Sequence, residues 1–151
     1  MTKLPLGIIA LTTLAITTAP QAHAEVGPQA ALAAIEASGG HYVWSAASLA
    51  AADCSGLVSI ALSISEGQPP HRIGDTRSLL AGRWPGMIRG ASPGDAFIVG
   101  VNPSHMVAQV NGVNIEARTS GQPFLVGEAA RSPWSPEFTV WHADPAILAG
   151  P

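Results

Sequence analysis

Cys54 is the only cysteine of the chain, and it stands in Asp53-Cys54-Ser55-Gly56-Leu57, where a loose Ala/Ser run gives way to an amphipathic pattern. Well downstream, His105 opens a segment in which apolar and polar residues alternate. A thiol and an imidazole are the two parts of a nucleophile and its base: sulfur attacks an acyl carbon, and the ring takes and returns the proton. Most lone cysteines are inert buried side chains, so this reading depends on the elements that would position the two groups.

After Cys54, the residues Leu57, Val58, Ala61, Leu62, Ile64 and Ser65 recur near the helical period, which predicts a helix from Cys54 to Glu66, stopped by Gly67 and by Pro69-Pro70. Asp53 is a good N-cap, so Cys54 falls in the first turn among backbone N–H groups without an intrahelical partner. A helix terminus contributes about 1 kcal/mol, or about one pKa unit against an ordinary thiol value near 8.5, and the Asp53 charge opposes it. Full activation therefore requires a partner, for which His105 is the candidate.

Asn111-Gly112 between two alternating runs predicts a tight hairpin, because a type I′ turn needs positive φ at both central residues. That loop sets Val110 opposite Val113, Gln109 opposite Asn114, Val107 opposite Glu116 and His105 opposite Arg118. Alternation then puts His105, Val107, Gln109, Asn114, Glu116 and Arg118 on one largely polar face, with Met106, Ala108, Val110, Val113, Ile115 and Ala117 on a core face. Glu116 becomes the diagonal neighbour of His105, with Cα atoms roughly 7–8 Å apart, within reach of the second ring N–H. A carboxylate there fixes the tautomer, the task of the third member of a Cys-His-acid set, with Asn114 as the reserve.

Tyr42-Val43-Trp44, the spacing from Trp44 to Cys54, the Asp-Cys-Ser-Gly-Leu motif, Pro93-Gly94-Asp95 before an apolar strand, His105, and a polar residue on the returning strand resemble the NlpC-type family of papain-related cell-wall cysteine peptidases. The resemblance runs from about Ala30 to Trp141. It implies an α+β papain-like fold with N-terminal helices packed on a small antiparallel sheet. It also implies an endopeptidase that cuts peptidoglycan stem peptides, typically between D-glutamate and the diamino acid, through a thioester and without metal or other cofactor. By the same resemblance Cys54 is the nucleophile, His105 the general base and then acid, Glu116 the third polar residue, and Tyr42 the tyrosine whose hydroxyl lies near the oxyanion. Where the family has glycines after the tryptophan, this chain has Ser45-Ala46-Ala47-Ser48, whose Cβ atoms would narrow the groove. The family's third residue is most often histidine.

Residues 1–24 read as a cleaved secretory signal: Lys3, an apolar run from Leu4 to Thr18, and Ala22-His23-Ala24 before Glu25. The rest divides into a peptidase domain over 25–142 and a flexible tail over 143–151. After the signal, six arginines face ten acidic residues, which suggests neither a nucleic-acid footprint nor an anionic-lipid surface. The expectation is a secreted monomer, in the cell wall or periplasm, that finds the wall through its groove or with a targeting partner. His71 and His142 show no metal-ligand spacing, and Arg72, Arg77, Arg83 and Arg89 read chiefly as a solvated face. A non-catalytic peptidoglycan-binding regulator and an amidase on another acyl substrate are the alternative functions.

Overall fold

The computed structural model describes residues 26–149. The expected signal, residues 1–24, lies outside them. In chain order the elements are α1 (Pro28–Ser38), β1 (His41–Tyr42), β2 (Ala51–Ala52), α2 (Cys54–Ser65), α3 (Thr76–Leu80), β3 (Met87–Arg89), β4 (Phe97–Asn102), β5 (His105–Val110), β6 (Val113–Glu116), β7 (Leu125–Val126) and β8 (Thr139–Ala143). Short 3₁₀ turns cover Gly127–Ala129 and Pro145–Ala149.

The fold is mixed α and β, with helices against a six-stranded antiparallel sheet ordered β3-β8-β4-β5-β6-β7. The hairpin forms in the expected register, with Gln109 opposite Asn114 and Val110 opposite Val113. Asn111 and Gly112 take φ of 46° and 80°, as a type I′ turn requires. Met106, Ala108, Val110, Ile115 and Ala117 enter one core with Leu57, Ala61 and Leu62 of α2, so α2 lies on the apolar face of the hairpin.

The opposite face is less polar than alternation alone implies. Val107 and Glu116 are fully buried there. A covering segment explains this: a Cβ added at Gly100 of β4 would meet Pro133 Cα at 2.7 Å, Pro133 O at 3.0 Å and Phe138 Cβ at 3.1 Å. The chain between β7 and β8 thus lies directly on the sheet, and only glycine permits that approach.

The C-terminal segment corrects an expectation. Residues 143–149 are not a loose tail: Ala143 ends β8, and a 3₁₀ turn follows whose Ile147 and Leu148 pack on the core. Asp144 starts that turn by accepting from the N–H groups of Ala146 and Ile147. Two further pairings were not anticipated: β1 and β2 align parallel, with Tyr42 opposite Ala52, and β3 joins the edge beside β8.

Gly100→Ala should destabilise the fold by about 1–3 kcal/mol, because the obstructing atoms are mostly backbone. Chemical denaturation checks this, and Gly94→Ala, where an added Cβ meets nothing within 4 Å, should have a much smaller effect.

Candidate active site

Asp53 caps α2 as its sequence suggests, its Oδ1 accepting from the Gly56 N–H at 2.7 Å. Its Oδ2 accepts from the Ser45 N–H at 3.0 Å, and Ser45 adopts φ of 64° to present that group. Ser45 therefore occupies, in left-handed conformation, the first position after the tryptophan, where a glycine would be unstrained. Arg72 closes the cap from outside, donating to Asp53 Oδ1 at 2.9 Å, to the Ala46 carbonyl at 2.8 Å and to Ser55 Oγ at 3.1 Å. The solvated-face reading of Arg72 is thus corrected: this guanidinium offsets the anion beside the thiol.

Cys54 is half-buried at the start of α2. The backbone N–H groups of Met106 at the start of β5, of Ser55 and of Cys54 itself favour the thiolate. Burial, with help from the Asp53 charge, outweighs them and pushes the thiol above its ordinary value. The helix terminus acts in the expected direction, but desolvation is the larger effect. Tyr42 stands on β1 opposite the residue that precedes Asp53, and its phenol is raised by burial and by proximity to Cys54 and Asp53.

His105 is held by its own turn, because Asn102 Oδ1 accepts from the His105 N–H at 2.8 Å and the Ser104 N–H at 3.0 Å. Its Nε2 is 2.8 Å from Glu116 Oε1, the contact expected from the hairpin diagonal. With Glu116 as acceptor, Nε2 carries the proton and Nδ1 is the basic nitrogen. Asn114 does not compete for this role, since its Oδ1 accepts from Gln109 Nε2 at 2.9 Å.

Glu116 has 0% exposure and is heavily tied. Arg118 donates through Nε at 3.1 Å and Nη2 at 2.7 Å, while Arg131 donates through its backbone N–H at 2.8 Å and Nε at 2.9 Å. Burial alone would raise this carboxyl, but the donors from Arg118, Arg131 and His105 prevail and hold it at about 2. His105 moves below its usual value, mainly through burial and with contributions from both arginines, against the pull of Glu116. Arg118 was foreshadowed by its same-face position two residues beyond Glu116. Arg131 comes from an irregular segment and carried no comparable signal.

A cleft of about 570 Å³ opens beside the thiol, lined among others by Trp44, Ser45, Cys54, Arg72, Thr76 and Ser104. Thr76 Oγ1 donates to the Pro103 carbonyl at 3.2 Å, joining the start of α3 to the turn before His105. Trp44 is 79% exposed, a wall of the groove and not part of the core. Among the described residues, no group of three or more His, Cys, Asp or Glu side chains converges as a metal site.

The architecture has a counterpart among solved structures. The crystal structure of the NlpC/p60 domain of peptidoglycan hydrolase SagA superposes with a TM-score of 0.51 at 23% identity, covering 78% of this chain and 99% of that one. This is the NlpC/p60 fold. No family model matches the sequence, and no curated protein matches it. The motif resemblance is therefore met at the level of three-dimensional architecture, and the NlpC/p60 arrangement of helices on an antiparallel sheet agrees with the expected fold class.

Because the folded-state value of Glu116 lies near 2, below an ordinary 4.5, its contribution to stability is complete above about pH 4.5 and is lost as pH falls through 2. Denaturant midpoints should therefore drop between pH 5 and pH 2. Glu116→Gln should flatten that part of the profile and, by leaving two guanidinium groups without their carboxylate, cost about 3–5 kcal/mol at neutral pH.

Proposed function

We propose that the protein is an exported cysteine endopeptidase that hydrolyses peptidoglycan stem peptides, with Cys54 as nucleophile, His105 as general base and acid, and Glu116 as the residue that orients the ring. The observation that carries this reading is the 2.8 Å contact of His105 with the buried carboxylate of Glu116, the ring standing next to Met106, whose N–H acts on the Cys54 thiol. The fold shared with the NlpC/p60 domain of a peptidoglycan hydrolase supports the substrate class. The D-glutamyl to diamino acid bond is the one the motif resemblance favours.

In the first half-reaction, Cys54 Sγ bonds to the scissile carbonyl carbon while its proton passes to His105 Nδ1 and the carbonyl π pair moves to oxygen. The Cys54 N–H, in the first turn of α2, and the Tyr42 hydroxyl are the donors for that oxyanion. Collapse breaks the C–N bond, and His105 returns the proton to the departing amine, leaving a thioester. Water, deprotonated by His105, then attacks the thioester, and the thiol recovers its proton as the carboxylic acid leaves. Glu116 holds Nε2–H throughout, which keeps Nδ1 facing the chemistry. Trp44 and Arg72 lie along the cleft that would receive the peptide.

Incubated with sacculi or defined stem peptides under reducing conditions, the wild-type protein should release new amino termini. Cys54→Ser and His105→Gln should each lower that rate by about 10³-fold or more while circular dichroism stays unchanged. A folded wild-type protein that is inert on varied stem peptides would falsify the assignment.

A further inference from the structure

Glu116 serves two guanidinium groups and an imidazole with a single negative charge. Its Oε1 lies 2.8 Å from His105 Nε2, 3.1 Å from Arg118 Nε, and 2.9 Å and 2.8 Å from Arg131 Nε and Nη2. Its Oε2 takes Arg118 Nη2 at 2.7 Å and the Arg131 backbone N–H at 2.8 Å. A carboxylate oxygen has two lone pairs, so four donors crowd Oε1, and both guanidinium groups are permanently charged. The cluster already carries a net positive charge before the ring accepts a proton. Glu137 offsets it weakly, 3.9 Å from Arg131 Nη1 and 43% exposed. On the ring itself lies the neutral Phe138, whose centroid is 6.3 Å from that of His105.

In an ordinary Cys-His-acid set the acid's charge is available to the imidazolium and favours it. Here that charge is matched twice over. We propose that Arg118 and Arg131 are positioning residues, acting through Glu116, that keep His105 neutral in the resting protein, so that the thiol proton leaves Cys54 only as the S–C bond forms. The carboxylate keeps its orienting function, accepting from Nε2–H, while the two guanidinium charges oppose its pull of a second proton onto the ring. Burial acts the same way, raising the thiol and lowering the imidazole. The inference rests on the proposed roles of Cys54 and His105, but its test needs no peptidoglycan.

The test follows the His105 ring by NMR across pH in the full chain, with parallel iodoacetamide alkylation of Cys54, in wild type, Arg118→Gln, Arg131→Gln and Arg131→Lys. Wild type should hold a neutral ring and neutral thiol at neutral pH, with alkylation rising in one alkaline step. The glutamine variants should raise the ring pKa by about one unit, a tenfold change in the protonation constant, and add a thiolate-dependent shoulder to the alkylation profile near neutrality. Arg131→Lys, which keeps the charge, should stay close to wild type. An unshifted ring in both glutamine variants overturns the proposal. So does a thiolate–imidazolium pair in neutral wild type, seen as thiolate ultraviolet absorbance that Cys54→Ser abolishes, a result independent of whether any variant folds. A protein with the expected titrations that cleaves no stem peptide would support the arginine role while refuting the peptidase assignment.

Discussion

A carboxylate with no solvent of its own organises one end of this molecule. Glu116 is sealed between β5, β6 and the segment that follows the Gly127–Ala129 turn, and it stays ionised only because Arg118, Arg131 and His105 surround it with donors. An uncompensated carboxylate in such a place would lose its charge, and with it the ability to accept from the ring. The same contacts pin the irregular chain before β8 to the sheet, so the orientation of His105 and the folding of that segment are one problem.

The thiol is placed by different means. Asp53 caps α2, Ser45 accepts a left-handed backbone to donate to that cap, and Arg72 ties it to the far wall of the cleft. α2 lies on the apolar side of the hairpin, whereas the imidazole belongs to the other side. Cys54 is the first residue of its helix and His105 the first of its strand, and the N–H of Met106, next to His105, acts on the thiol.

The local parts of this arrangement were legible in the sequence. The cap at Asp53, the start of α2, the Asn111-Gly112 turn, and hence the His105–Glu116 diagonal follow from spacing, turn chemistry and strand alternation alone. Periodicity says nothing about what covers the second face of a sheet. The burial of Val107 and Glu116, the approach of Pro133 to Gly100, and the role of Arg131 therefore escaped. Arg72 was misread because an arginine among prolines and glycines has the same sequence appearance whether it meets water or a cap. The segment over 143–149 was misread because Ile147 and Leu148 are too few to show a period, although they pack against the core.

The convergence of sulfur and imidazole is tested most directly with 1,3-dibromoacetone, in which one carbon is displaced by Cys54 and the other by a ring nitrogen within reach. Peptide mapping of the treated protein should find Cys54 joined to His105, with loss of both bromides. Labelling confined to Cys54, or a bridge from Cys54 to another residue such as His71, would contradict the account.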